Sequence, residues 1–212
     1  MGILSWLRLK SGKTLTPKKK RYLGSILLEL ELLLFALLVA WHEGIALFPK
    51  SFPAAWMWAL GAVFVAAKLF RLGFVWRRID EERKQHARLF LPGTPAELPY
   101  WALISVLAGV GEECAYRGVA YVLLFEMTQS LAISLMACVV AFGVSHMTQG
   151  WKSALAVAMM ALLFHITVFV TGTLYLAIGI HATHNLLLGW LTVKWTARDR
   201  KQPNEAAAAP AL

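Results

Sequence analysis

Long apolar runs separated by short polar breaks dominate the chain, and roughly 20 apolar residues are what a helix needs to cross a hydrocarbon core of about 30 Å. Six such runs occur, at 22–41, 54–76, 98–125, 131–147, 152–170 and 173–195. The predicted fold class is all-α, a polytopic membrane bundle of about six transmembrane helices. The runs divide the chain into a basic arm (1–21), two accessory helices with a basic loop (22–97), a core of about four helices (98–195) and a tail (196–212). The end of that tail, from Asn204, is rich in Ala and short of large apolar residues, so it is predicted to be disordered.

Loop charge tests the count, because Lys and Arg collect on the cytoplasmic side of short loops. The arm carries Arg8, Lys10, Lys13, Lys18, Lys19, Lys20 and Arg21, whereas the first loop carries only Lys50. The second loop holds Arg77, Arg78, Arg83, Lys84 and Arg88, and the third has no base. Lys152 stands alone after the fourth run, the turn near Gly172 has none, and the tail carries Lys194, Arg198, Arg200 and Lys201. This alternation predicts both termini on the cytoplasmic side.

Composition agrees with a membrane solvent: 58% of the 212 residues are hydrophobic, and the mean hydropathy is +0.59. A net charge of +9, with Pro-Lys-Lys-Lys-Arg at 17–21, superficially suggests nucleic acid. The bases sit where a cytoplasmic flank belongs, so no nucleic-acid partner is expected. Cys114 and Cys138 fall inside predicted helices without CxxC spacing and say little about redox compartment. The first run lacks a small-residue cleavage site and is expected to stay as an anchor.

Against this background the run Glu-Glu-Cys-Ala-Tyr-Arg at 112–117 stands out. One ionised side chain at a bilayer centre costs at least about 2.5 kcal/mol, so three together imply pairing, an aqueous cavity or a task. Glu113 and Arg117 are four apart and can pair as a structural unit. Glu112 is turned about 100° from Glu113 and is left as the candidate base. Phe142 and His146 repeat the four-residue spacing on the next helix, as do His181 and Asn185 on the last, with His184 beside them. Polar groups from three helices therefore converge as bundle sites do. With water present, Glu112 could act as base, His146 could orient the water, and His181 and Asn185 could stabilise an oxyanion. His165 reads as a packing residue bonded to a neighbouring carbonyl. Glu29 and Glu31 in the first run are expected to meet bases of the arm or Lys68 and Arg71.

The order Glu112-Glu113 with Arg117-Gly118, then Phe142 with His146, then His181 with Asn185 resembles the CAAX-protease and bacteriocin-processing family of intramembrane peptidases, the type II CAAX prenyl endopeptidase or ABI group. Thr171-Gly172-Thr173-Leu174 before Ile180-His181 is similar as well, and the likeness covers 98–195. The resemblance implies an intramembrane endopeptidase with the first glutamate as general base, completed by both histidines and the asparagine. Tyr116 stands where that family more often has Phe. The implied substrate is a membrane-anchored or lipidated protein, and the expected location is the bacterial inner membrane.

No cofactor is expected from the resemblance. Glu112, His146 and His181 could hold zinc with an open position, although no HExxH occurs. A noncatalytic membrane scaffold or chaperone is the alternative from another class; a transporter is disfavoured by the lack of an internal repeat. Depth poses a difficulty. If the third helix starts at Leu98, Glu112 lies about 21 Å along it, whereas His146 falls near the cytoplasmic end of the fourth. A late start, with 99–103 partly interfacial, is expected to reconcile them.

Overall fold

The computed structural model describes residues 17–208, with side chains through residue 200. All regular elements among them are helical. In chain order they are α1 (Lys18–His42), α2 (Ala55–Trp76), α3 (Glu81–Phe90), α4 (Leu98–Glu112), a π-helical segment (Glu113–Ala120), α5 (Tyr121–Thr128), α6 (Leu131–Ser145), α7 (Trp151–Thr171) and α8 (Tyr175–Ala208). Short 3-10 turns at Pro95–Glu97 and Met147–Gln149 precede α4 and α7.

Among the described residues, four helices are long and apolar enough to cross a membrane: α1, α2, α7 and the part of α8 up to Arg200. Two expected spans take another form. The run predicted at 98–125 is helical to Thr128 but divided by the π segment, and the one predicted at 131–147 is a helix of 15 residues. Such a helix is about 22 Å long, short of a full hydrocarbon core. Many outward-facing side chains are large and apolar, with Phe35 65%, Phe70 80% and Val170 67% exposed. That surface suits lipid rather than water.

Helix ends follow local chemistry. Asp80 caps α3 by accepting from the Arg83 amide at 2.8 Å, and Ser130 caps α6 through the Ile133 amide at 3.4 Å. Gln129 takes a left-handed conformation (φ 52°) between α5 and α6. Gly172 does the same (φ 66°) after α7, where a side chain would be strained.

Three basic segments meet at one end of the bundle. Lys18 at the start of α1 bonds Glu97 at 2.6 Å and the Leu91 carbonyl at 2.8 Å. Asp199 on α8 accepts from Trp76 at 3.1 Å, Lys84 at 3.2 Å and Arg88 at 2.7 Å. The start of α1, the loop after α2 and the end of α8 thus lie at the same end of the bundle. Arg8, Lys10 and Lys13 lie outside the described residues.

The last helix continues to Ala208. Thr196 is 1% exposed, and the Asp199 bonds anchor this end. Ala, which packs little, is also the best helix former. Residues 209–212 lie outside the described residues.

Between helices, approach is set by small residues, as is common where lipid supplies no hydrophobic drive to association. A Cβ placed on Gly109 of α4 would stand 2.8 Å from the Ala182 Cβ and 3.0 Å from the Ala182 amide nitrogen of α8. Gly111 meets the Glu29 carbonyl of α1 in the same way, at 3.2 Å. These contacts bring α1 and α8 against the two sides of α4.

Gly109→Val is expected to push α8 off α4 and lower stability by about 1–3 kcal/mol, read as a drop in Tm in detergent; an unchanged Tm would contradict this packing. Burial pushes the Glu97 carboxyl up, but the Lys18 hydrogen bond and the Gly93 amide outweigh it and hold the group below its ordinary value. A depressed carboxylate stabilises above its unfolded pKa and loses that contribution as pH falls through the folded one. Glu97→Gln should therefore lower Tm at neutral pH, with the gap to wild type closing below about pH 4; a gap independent of pH would count against it.

Candidate active site

The depth difficulty is resolved by the hairpin joining α5 to α6. Glu112 and His146 each lie 17 residues from Gln129, one before it and one after. Antiparallel helices place such residues at one level. Tyr116 and Phe142, each 13 residues from Gln129, meet edge to face with centroids 4.9 Å apart. The expected late start is not what brings the two levels together: α4 begins at Leu98 with Pro99 in its first turn. Instead α6 stops at Ser145, so His146 lies at the end of a short helix.

Immediately after Glu112 the backbone widens into the π segment, a feature often found at functional sites. Glu113 and Arg117 lie on it, both with side chains 0% exposed. One Glu113 oxygen, Oε1, accepts from Arg117 Nη1 at 3.3 Å and from His181 Nδ1 at 2.9 Å. The Arg117 guanidinium lies over the Phe142 ring at 4.6 Å and over Phe164 at 5.6 Å. Phe164 also stacks on His181, 5.4 Å between centroids. The pair expected from four-residue spacing is present and, in addition, orients an imidazole.

Because Glu113 can only accept, His181 carries a proton on Nδ1 and turns Nε2 toward Glu112, 3.6 Å from its Oε2. His146 Nδ1 donates to the Phe142 carbonyl at 2.9 Å, with Ser145 Oγ beside it at 3.0 Å. In the neutral ring this leaves the lone pair on Nε2. His184 Nδ1 donates to Asn185 Oδ1 at 3.2 Å, which leaves the Asn185 amide NH₂ free to donate. Trp101 Nε1 fastens the Asn185 carbonyl to α4 at 2.7 Å.

Glu112, Phe142, His146, His181, His184 and Asn185 line one cavity of about 500 Å³. It extends toward the basic end of the bundle, where Lys18, Arg21, Arg83 and His86 form part of its wall. Tyr116, Glu113 and Arg117 are outside the lining and support it from behind. His165 is 2% exposed, packs on Tyr121, and stands apart from the cavity.

Two wall residues were not singled out for the site by motif. Glu29 of α1 and Lys68 of α2 both line the cavity, and the pairing expected between Glu29 and a base is not found among the described residues: its Oε2 is buried without a hydrogen-bond partner. The signal was a carboxylate in an apolar run, which alone does not tell interior from interface. No group of three or more His, Cys, Asp or Glu among the described residues is placed to hold a metal ion. Chemically, the arrangement offers a carboxylate, an imidazole lone pair and a carboxamide donor around one space.

Neither the curated proteins nor the solved structures gave a match to the chain. The family model described as type II CAAX prenyl endopeptidase Rce1-like matches residues 94–187. That stretch holds the three motif pairs and ends just after Asn185. With the three motifs gathered on one cavity within it, the stretch 94–187 is similar to the type II CAAX prenyl endopeptidase Rce1-like family.

Proposed function

We propose that the protein is an intramembrane endopeptidase of the glutamic type that hydrolyses a peptide bond in a membrane-anchored or lipidated protein. The observation that carries this reading is the meeting of Glu112, His146, His181 and Asn185 on one cavity. The bundle would span the membrane six times with both termini cytoplasmic, and the bacterial inner membrane is its proposed location.

Water held between the Glu112 carboxylate and the His146 Nε2 lone pair gives its proton to Glu112 as its oxygen attacks the peptide carbonyl. The Asn185 amide donates to the oxyanion. With a second proton on Nε2, His181 pairs with Glu112, as Arg117 pairs with Glu113. Once Glu112 takes up the proton of water it is neutral, and the His181 N–H is free to turn to the oxyanion. Charge thus stays balanced within a site of low dielectric.

Glu112→Gln keeps the shape and removes the base, so cleavage of a membrane-anchored reporter in vesicles should fall by about 10²–10⁴ while insertion is normal. A normal rate would reject the mechanism, and a reporter bound but left uncut by both proteins would favour a noncatalytic scaffold. In the same assay a chelator should leave the wild-type rate unchanged. Loss on chelation, restored by zinc, would instead support a zinc site at Glu112, His146 and His181. Asn185→Ala should lower kcat by about 10²–10³ with little change in KM; a change confined to KM would place Asn185 in binding rather than in oxyanion stabilisation.

A further inference from the structure

The reaction outlined above gives Glu112 a proton and leaves the departing amine without one. An amine leaves an amide readily only if its nitrogen is protonated as the C–N bond breaks. A second carboxyl at the cavity is placed for this.

We propose that Glu29 of α1, outside the matched segment, is the general acid that protonates the leaving nitrogen; this rests on the endopeptidase reading. Its backbone carbonyl lies against Gly111, next to Glu112, and its side chain lines the same cavity. Arg117 is engaged with Glu113 at 3.3 Å, and His181 lies between Glu113 and Glu112. Glu29 Oε2 is buried with no hydrogen-bond partner among the described residues. A carboxyl so placed in a membrane-level wall is cheapest as the neutral acid, the form that donates. Two carboxyls sharing one proton are a known solution for amide hydrolysis.

The step balances. Water loses a proton to Glu112 and forms the C–O bond; the C–N bond then breaks as the Glu29 O–H proton passes to nitrogen. The products are a carboxyl and an amine. The proton on Glu112 returns to Glu29 through water in the cavity, which restores both groups.

The test compares two membrane-anchored reporters in vesicles, one with a peptide bond and one with a p-nitrophenyl ester, whose leaving group departs as an anion and needs no acid. At matched amounts of folded protein, Glu29→Gln should lower kcat on the peptide by about 10²–10⁴ and leave the ester rate at the wild-type level. Glu29→Asp should recover part of the peptide rate, and Glu112→Gln should lose both reactions. Equal loss on the two reporters, or an unchanged peptide rate in Glu29→Gln, would overturn the assignment to Glu29 and leave the Glu112 reading standing. Wild-type protein that cuts neither reporter would sink the endopeptidase reading, and this assignment with it.

Discussion

One carboxylate organises the interior. Glu113 Oε1 accepts from Arg117 and from His181, and around these three groups four elements are fixed: the π segment, α8 through His181, α6 through Phe142 and α7 through Phe164. A buried ion pair adds little net stability, but removing one partner strands a charge and costs about 3–5 kcal/mol. The aromatic rings on Arg117 lower the burden further by facing its cation with π electrons. A position that cannot lose its partner holds its neighbours in one arrangement. Here that arrangement turns His181 Nε2 to Glu112 and the cavity.

The rest of the geometry is a matter of lengths and contacts. A hairpin pivot at Gln129 sets Glu112 level with His146, and the short α6 ends where the imidazole is needed. Gly109 lets α8 approach α4 closely enough for His181 and Asn185 to reach the same space. Gly111 admits α1, and with it Glu29. The helices outside the family match are thus part of the cavity wall rather than passive anchors, as Lys68 on α2 also shows.

Much of this was legible in the sequence because the bilayer makes polar residues conspicuous. Charge among apolar residues marked Glu112, Glu113 and Arg117, and spacing of four on later helices marked His146, His181 and Asn185. Helix extents followed from apolar runs to within a few residues, except at the end of α8, which runs past 195 to Ala208. What escaped was whatever depends on the partner helix. Whether α6 crosses fully is decided by the Gly150 turn and the packing of α7, and apolar composition does not report it. The depth conflict came from measuring along single helices instead of outward from their turn. The role of 196–200 turned on Asp199 meeting three donors from distant segments, which local composition cannot reveal. Glu29 was visible as an anomaly, but the Gly111 and Glu112 it lies against are 82 and 83 residues away in the chain.

The account rests on water from the cavity being the nucleophile. The most direct measurement is cleavage of a membrane-anchored reporter by wild-type protein in vesicles prepared in ¹⁸O-water, with mass spectrometry of the new carboxy terminus. The account predicts product whose new carboxyl carries one oxygen from the solvent. Product lacking the label, or a reporter that is captured and stays intact, would contradict it.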